Sequence, residues 1–264
     1  MKEYKISFIG AGKVAGALCR YFQMRGFRIC RIVSRSEASG TALAESCGAK
    51  WSSVPRFTGS EDIIITAVSD DSLAGVLRAV TCSASTLVAH TAGSFGLDVF
   101  PSHLKHKGVF YPLQTFSENR QINFENLPFF LEASDKKSLS LMTGLARSAG
   151  GRVYITTSEE RRKIHLAAVF VCNFTNHMFT LGRDIAGSAG LTFDILEPLV
   201  NETVSKAFEL GPQESQTGPA YRFDKSTLKR HIDLLSFSPE MQKIYRELTQ
   251  SIINYYNREE NDQF

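Results

Sequence analysis

The segment Lys5-Ile6-Ser7-Phe8-Ile9-Gly10-Ala11-Gly12-Lys13-Val14-Ala15 constrains this chain more than any other. A short β run meets Gly10-x-Gly12-x-x-Ala15 and gives way at once to apolar residues at helical spacing: Val14, Ala15, Leu18, Cys19 and Phe22. Gly10 permits a tight turn, and Gly12 leaves bare backbone for a pyrophosphate. Ala15, with Gly16, lets helix and sheet approach closely. The helix start adds unpaired N–H groups and the positive end of the helix dipole. A glycine turn of structural convenience would look the same in isolation. The strand before it and the helix after it point to a dinucleotide site, with Gly10, Ala11, Gly12, Lys13, Val14 and Ala15 at the phosphates.

Gly26 stops the first helix, and Arg28 to Val33 forms the next strand. Ser34-Arg35-Ser36 follows, Ser34 standing 24 positions after Gly10. A site for NAD normally has Asp or Glu near there to hold the ribose hydroxyls. A hydroxyl and a guanidinium suit a 2′-phosphate instead, so the expected cofactor is NADP, although a surface Arg after a strand is also common. Asp62 to Val68 is nearly all apolar, as in a parallel strand covered on both faces. Thr86 to Ala89 forms another strand ending at His90. The carboxyl ends of these strands put Ala67, Val68, Ser69, Asp70, His90 and Thr91 beside the cofactor, though Asp70 is equally placed to cap a helix. Runs at 109–111, 129–131 and 153–155 extend the sheet. The expected fold class is α/β, a Rossmann-type doubly wound parallel sheet.

Past Ile155 the pattern is helical to the end. Thr157-x-x-Glu160 has the spacing of a capping box. Helical patterns continue to about Gly187 and cover 193–210, 225–235 and 239–256, and the polar tail 257–264 is expected to fray. The boundary falls near Thr156, giving residues 1–156 as the NADP-binding domain and 157–264 as an all-α domain. With 30 Lys+Arg against 27 Asp+Glu, the net charge of +3 is too mild to imply a nucleic-acid partner or a charged membrane surface. The apolar runs around Ile63–Ile65 and Leu166–Cys172 fall short of a membrane span. Five scattered cysteines without a Cys-x-x-Cys pair favour a reduced, cytoplasmic protein with no metal site.

Several segments together resemble a bacterial family described as NADP oxidoreductases, a Rossmann-like domain followed by a helical domain of unknown function. The likeness rests on the glycine loop, on His90-Thr91-Ala92-Gly93-Ser94 and on Tyr111-Pro112-Leu113-Gln114-Thr115-Phe116. It continues in His165 to Phe174 and in Thr217-Gly218-Pro219-Ala220-Tyr221-Arg222-Phe223-Asp224. Two residues depart from the family pattern: Tyr111 stands where a His is common, and Phe223 interrupts an Arg-Gly-Asp. More distantly the layout is similar to ketopantoate reductase, pyrroline-carboxylate reductase and the 6-phosphogluconate dehydrogenase group. That relationship implies a helical domain that closes the substrate site and forms a homodimer. It implies a reaction only loosely, because one fold hosts many chemistries.

The expected reaction is hydride transfer between NADP(H) and a small polar carbonyl or imine substrate. His165 is the candidate general acid/base, since an unperturbed imidazole titrates near neutrality. Asn173 lies about 80° from it on an ideal helix; its spacing from His165 resembles the catalytic Lys and Asn of ketopantoate reductases. A helical His beside Leu166, Ala167 and Ala168 is also common as packed core. Tyr111 and Gln114 are candidate substrate contacts. Arg222 either clamps a substrate carboxylate or pairs with Asp224 to lock its loop. His103 and His106 are expected to be exposed. The alternative function is a non-catalytic NADP-binding sensor or scaffold.

Overall fold

The computed structural model of the protein describes residues 4–59, 61–117 and 122–256; the tail 257–264 lies outside them. Eight strands form one sheet: β1 Lys5–Ile9, β2 Arg28–Val33, β3 Lys50–Ser52, β4 Ile63–Thr66, β5 Leu87–His90, β6 His106–Pro112, β7 Pro128–Ala133 and β8 Arg152–Ile155. Their order is β3-β2-β1-β4-β5-β6-β7-β8. The six strands from β3 to β6 are mutually parallel. β7 runs antiparallel to β6, and β8 follows β7 in parallel. The sheet is therefore mixed at one edge rather than parallel throughout. Chain order reverses between β1 and β4, the switch point at which open α/β sheets bind ligands.

Helices α1 Lys13–Met24, α2 Glu37–Ser46, α3 Asp70–Ala79 and α4 Lys136–Ser148 connect these strands. The apolar run in β4 shows why both faces must be covered. Ile63 and Ile65 join a core with α1, α2 and α4, whereas Ile64 joins a second core with Leu73 and Leu77 of α3. All three isoleucines are fully buried. Gly26, at φ +81°, ends α1 as its position suggests. The short β3 and the helix α4 were not anticipated. β3 pairs only three residues with β2, too few for a period to register. α4 starts at Asp135, whose carboxylate accepts from the Ser138 N–H at 2.9 Å.

Beyond β8 come α5 Ser158–Ala168, a π-helical turn Val169–Phe174, α6 Thr175–Ser188, α7 Glu197–Glu209, α8 Lys225–Leu234 and α9 Pro239–Tyr256. The Thr157–Glu160 capping box forms in both directions. Two compact units result, Met1–Asn173 and Phe174–Phe264. Two expectations need correction. Helical residues 158–188 include a window long and apolar enough to cross a membrane by length and composition, none of it buried. His106 is partly buried rather than exposed, its Nδ1 bonding the Asp135 carboxylate at 2.9 Å, whereas His103 is exposed as expected and bonds the Val80 carbonyl through Nε2 at 3.0 Å.

Candidate functional site

A cleft of about 820 Å³ opens at the switch point. Its lining brings together Gly10, Ala11 and Gly12 with Ser34, Arg35 and Ser36, and with Ala67, Val68 and Ser69. Gly10 has φ +115°, and a Cβ there would come within 2.1 Å of the Ala67 carbonyl oxygen, so only glycine can turn the chain from β1 into α1 beside the end of β4. At Gly12, by contrast, a Cβ would meet open space. Gly12 is the N-cap of α1, with no side-chain cap and no acidic residue in the first turn. The helix thus presents its free N–H groups to the cleft, the condition for receiving a phosphate. Ala15 is buried beneath, in helix–sheet contact. Lys13 is the exposed first residue of α1, and Val14 packs against the core.

The second strand's end works differently from its sequence appearance. Ser34 Oγ donates to the Ser36 carbonyl at 2.7 Å and accepts from Trp51 Nε1 at 3.0 Å, so this hydroxyl braces the loop. Ser36 is the N-cap of α2, its Oγ accepting from the Ser39 N–H. Arg35 is exposed and has no carboxylate partner among the described residues. A free guanidinium beside a helix N-terminus fits a phosphate ester better than a ribose diol, so these residues fit NADP. Ser39, Ser53 and Ser72 also line the cleft; the Ser36-x-x-Ser39 spacing is a capping signal that could have placed the first of them. Ser69, not Asp70, holds the N-cap position of α3, without a side-chain cap bond, and Asp70 stands in the first turn.

His90 requires a correction as a cofactor contact. Its ring is fully buried, stacks on Phe100, accepts the Ala92 N–H at Nδ1 (3.2 Å) and bonds the Gly96 carbonyl through Nε2 (3.3 Å). Burial holds its pKa down to about 4 against the Gly96 bond, with Arg161 adding in the same direction. The neutral ring shapes the turn after β5. Thr91 continues the strand ladder, its N–H bonding the Thr66 carbonyl at 3.1 Å.

That turn carries the second cluster. Tyr111, near the end of β6, hydrogen-bonds His165 Nδ1 at 3.0 Å, the two rings meeting edge-on. Burial raises the Tyr111 phenol above its usual range; Asp70 pushes the same way and Arg161 opposes. His165 packs so closely over Gly93 that a Cβ there would lie 2.7 Å from the imidazole. The other ring nitrogen, Nε2, has no hydrogen-bond partner among the described residues. His165 is half-buried, packed on Gly93 and bonded to Tyr111.

A buried ion pair holds α5 in this position. Arg161, fully buried, reaches Glu132 of β7 at 2.5 Å and also donates to the Phe95 carbonyl. Ser158 Oγ donates to the same carboxylate at 2.7 Å. Arg161 precedes His165 by one helical turn, a spacing visible in the sequence though its meaning was not. Asn173 lies in the π-helical turn, where each residue advances less around the axis than in an α-helix, carrying it closer to the azimuth of His165 than the ideal figure. Gln114 folds back to accept its neighbour Thr115's N–H at 2.9 Å. Arg222 is exposed in the helical unit. The alternative pairing with Asp224 does not form, since Asp224 caps α8 through Thr227 N–H (3.1 Å) and Ser226 (2.9 Å).

Comparison with known proteins adds the following. Residues 2–114 match the Rossmann-like domain family, and residues 127–252 match a domain of unknown function, DUF2520. A Bacteroides fragilis protein described as a "putative NADP oxidoreductase" is 37% identical, with 96% of this chain and 98% of that one covered and a TM-score of 0.87. A reductive aminase from Aspergillus terreus, solved with NADPH and ethyl levulinate, is 14% identical over 96% of this chain and 95% of that one, TM-score 0.73. An imine reductase from Pseudomonas sp. is 13% identical over 97% and 93%, TM-score 0.68. At that identity the last two establish a shared fold. No curated protein sequence matches the chain.

Proposed function

Because the chain belongs to the family of the Bacteroides fragilis protein, a Rossmann-like domain followed by DUF2520, we propose that it is an NADP(H)-dependent oxidoreductase acting on a small polar carbonyl or imine compound. The observation that carries this reading is the Tyr111–His165 pair, set on Gly93 at the same end of the sheet as the nucleotide cleft. NADPH supplies a hydride when bound. The α1 N-terminus and Gly12 receive its diphosphate, and Arg35 with the α2 N-terminus receives the 2′-phosphate. His165 Nε2 gives a proton to the oxygen or nitrogen that takes on negative charge. Tyr111 holds the Nδ1 side and fixes the tautomer. Asn173 orients the acceptor. The reductive aminase and imine reductase that share the fold support the choice of carbonyl or imine chemistry by analogy.

The test is a fluorescence titration with NADPH and NADH, combined with a reductase screen on keto acids and cyclic imines. NADPH binds more tightly than NADH. His165→Ala lowers turnover by about 10²-fold or more with cofactor affinity unchanged. Equal loss of both would make His165 structural, and no saturable NADPH binding would remove the reading altogether.

Residues 1–156 hold the cofactor in this proposal, and residues 157–264 supply substrate contacts and a homodimer interface. The helical unit buries only Ala220, Leu228 and Leu235 among its described hydrophobic residues, while Phe208 is 90% and Leu234 73% exposed. We infer that a second copy, rather than a bilayer, covers this surface. The apolar window of helix 158–188 contains Asn173, Asn176 and His177, which a hydrocarbon environment would leave unsatisfied. The five unpaired cysteines support a reducing, cytoplasmic setting.

A further inference from the structure

Helix α5 carries a cation beside His165 that has no role so far. Arg162 precedes His165 by three residues, so the two side chains are neighbours on the helix, about 5–6 Å apart at Cβ. Arg162 Nε donates to the Ser94 carbonyl at 3.0 Å. This bond lays the guanidinium along the turn whose Gly93 supports the imidazole. The rest of the guanidinium has no partner among the described residues. The acidic residues nearest in sequence are already engaged: Glu159 pairs with Lys163 at 2.8 Å, and Glu160 closes the capping box.

The turn supplies donors of its own. Thr91 N–H bonds Thr66, and Ala92 N–H bonds His90. The next two N–H groups, those of Gly93 and Ser94, make no hydrogen bond among the described residues, nor does the Ser94 hydroxyl. Gly93 is buried and Ser94 half-buried, and neither N–H has a protein acceptor among the described residues. The turn does not adjust freely. The Phe95 carbonyl is held by Arg161, and a Cβ at Gly96 would come within 2.4 Å of Ser158 Oγ. Two unanswered backbone donors, a hydroxyl and a tethered guanidinium on one turn are groups that suit an anion, with the Asp98 carboxylate beside Gly96 two residues further on.

We propose that Arg162 and the Gly93–Ser94 turn bind a carboxylate of the substrate, so that the compound reduced is a keto acid or an imino acid rather than a neutral ketone or imine. This deepens the reductase reading and rests on it. A carboxylate held one helical turn from His165 leaves its own carbonyl or imine carbon within reach of the imidazole, and Arg162 replaces Arg222 as the clamp.

Calorimetric titration of the NADP⁺-saturated protein with 2-oxobutanoate and 4-oxopentanoate, each against its ethyl ester, tests the subsite. At least one acid binds ten times or more tightly than its ester. Arg162→Gln weakens acid binding at least tenfold while leaving ester and NADPH binding unchanged. Arg162→Lys keeps the charge but loses the two-pronged geometry, so it retains only part of the affinity. Equal affinity for acid and ester, no binding of either acid, or an unchanged acid affinity in Arg162→Gln overturns the subsite and leaves the NADP reading standing. Absence of NADPH binding, measured on the same protein before any acid is added, removes both.

Discussion

An alanine at Gly93 has nowhere to put its methyl group, because the atoms in the way are His165 Cγ at 2.7 Å and Nδ1 at 2.8 Å. The ring must swing off the turn and off Tyr111, while the nucleotide cleft, lined by other residues, is untouched. Gly93→Ala should therefore reduce kcat/KM by about 10- to 100-fold, the cost of displacing a reacting group by an ångström. NADPH affinity stays unchanged, and steady-state kinetics beside a cofactor titration check both. His90 gives a pH signature. Its pKa of about 4 lies below the ordinary 6.5, first because burial disfavours the charged ring. The unfolded chain thus binds the extra proton first as pH falls. The contribution is whole above about pH 6.5 and is lost on the way down to about pH 4, amounting to about 3 kcal/mol at most. Urea unfolding at pH 7.5, 5.5 and 4.5 should show this slope in the wild type and a shallower one in His90→Asn. Phe223 marks a different kind of departure. It sits at φ +53°, a conformation that favours the glycine of the family's Arg-Gly-Asp, and Lys225 lies 4.8 Å over its ring.

At the scale of an element, α5 depends more on Arg161 than on its cap. Replacing Thr157 with Ala removes a capping box and should cost about 1 kcal/mol. Arg161→Met removes the Phe95 carbonyl's donor and leaves the Glu132 carboxylate without its cation, with only Ser158 Oγ still donating to it, and breaking a buried pair from one side costs about 3–5 kcal/mol. Denaturant unfolding of Arg161→Met, Glu132→Leu and the double variant should show strong coupling, with the double variant losing much less than the sum. The capping box was legible in the sequence because it is a local rule spanning three residues. The glycine loop, the strand patterns and the extent of α9 were legible for the same reason. The Arg161–Glu132 pair was not, since it joins α5 to β7 across positions that no periodicity connects. Nor was the π-helical turn: Val169 to Phe174 is an ordinary helical string by composition, and only the i→i+5 bonding distinguishes it. His90 and Ser34 were correctly located at strand ends, but their side chains point to partners, Gly96 and Trp51, that a linear motif does not reveal.

For the whole molecule, the contrast between the two units sets the argument. The first unit encloses two continuous cores between its sheet and helices. The second leaves Leu199, Phe208, Leu210 and Leu234 more than half exposed, beyond anything the three hydrophobic residues buried among its described residues can offset. Each such side chain gains about 1.5–3 kcal/mol when removed from water, so covering a handful of them is enough to hold two copies together. A homodimer formed this way has a helical unit whose stability is inseparable from association. Light scattering should give twice the 29.3 kDa of the chain, and the unfolding midpoint should rise with protein concentration. Phe208→Asp places a charge in the covered surface and should shift the protein toward monomer with a lower midpoint. Met24→Asp, at a residue 68% exposed on the first unit, should leave both unchanged. A monomer with a concentration-independent midpoint would assign the apolar helices to another covering. Detergent dependence of solubility would then identify it as lipid, the one partner for which the length of helix 158–188 is also suited.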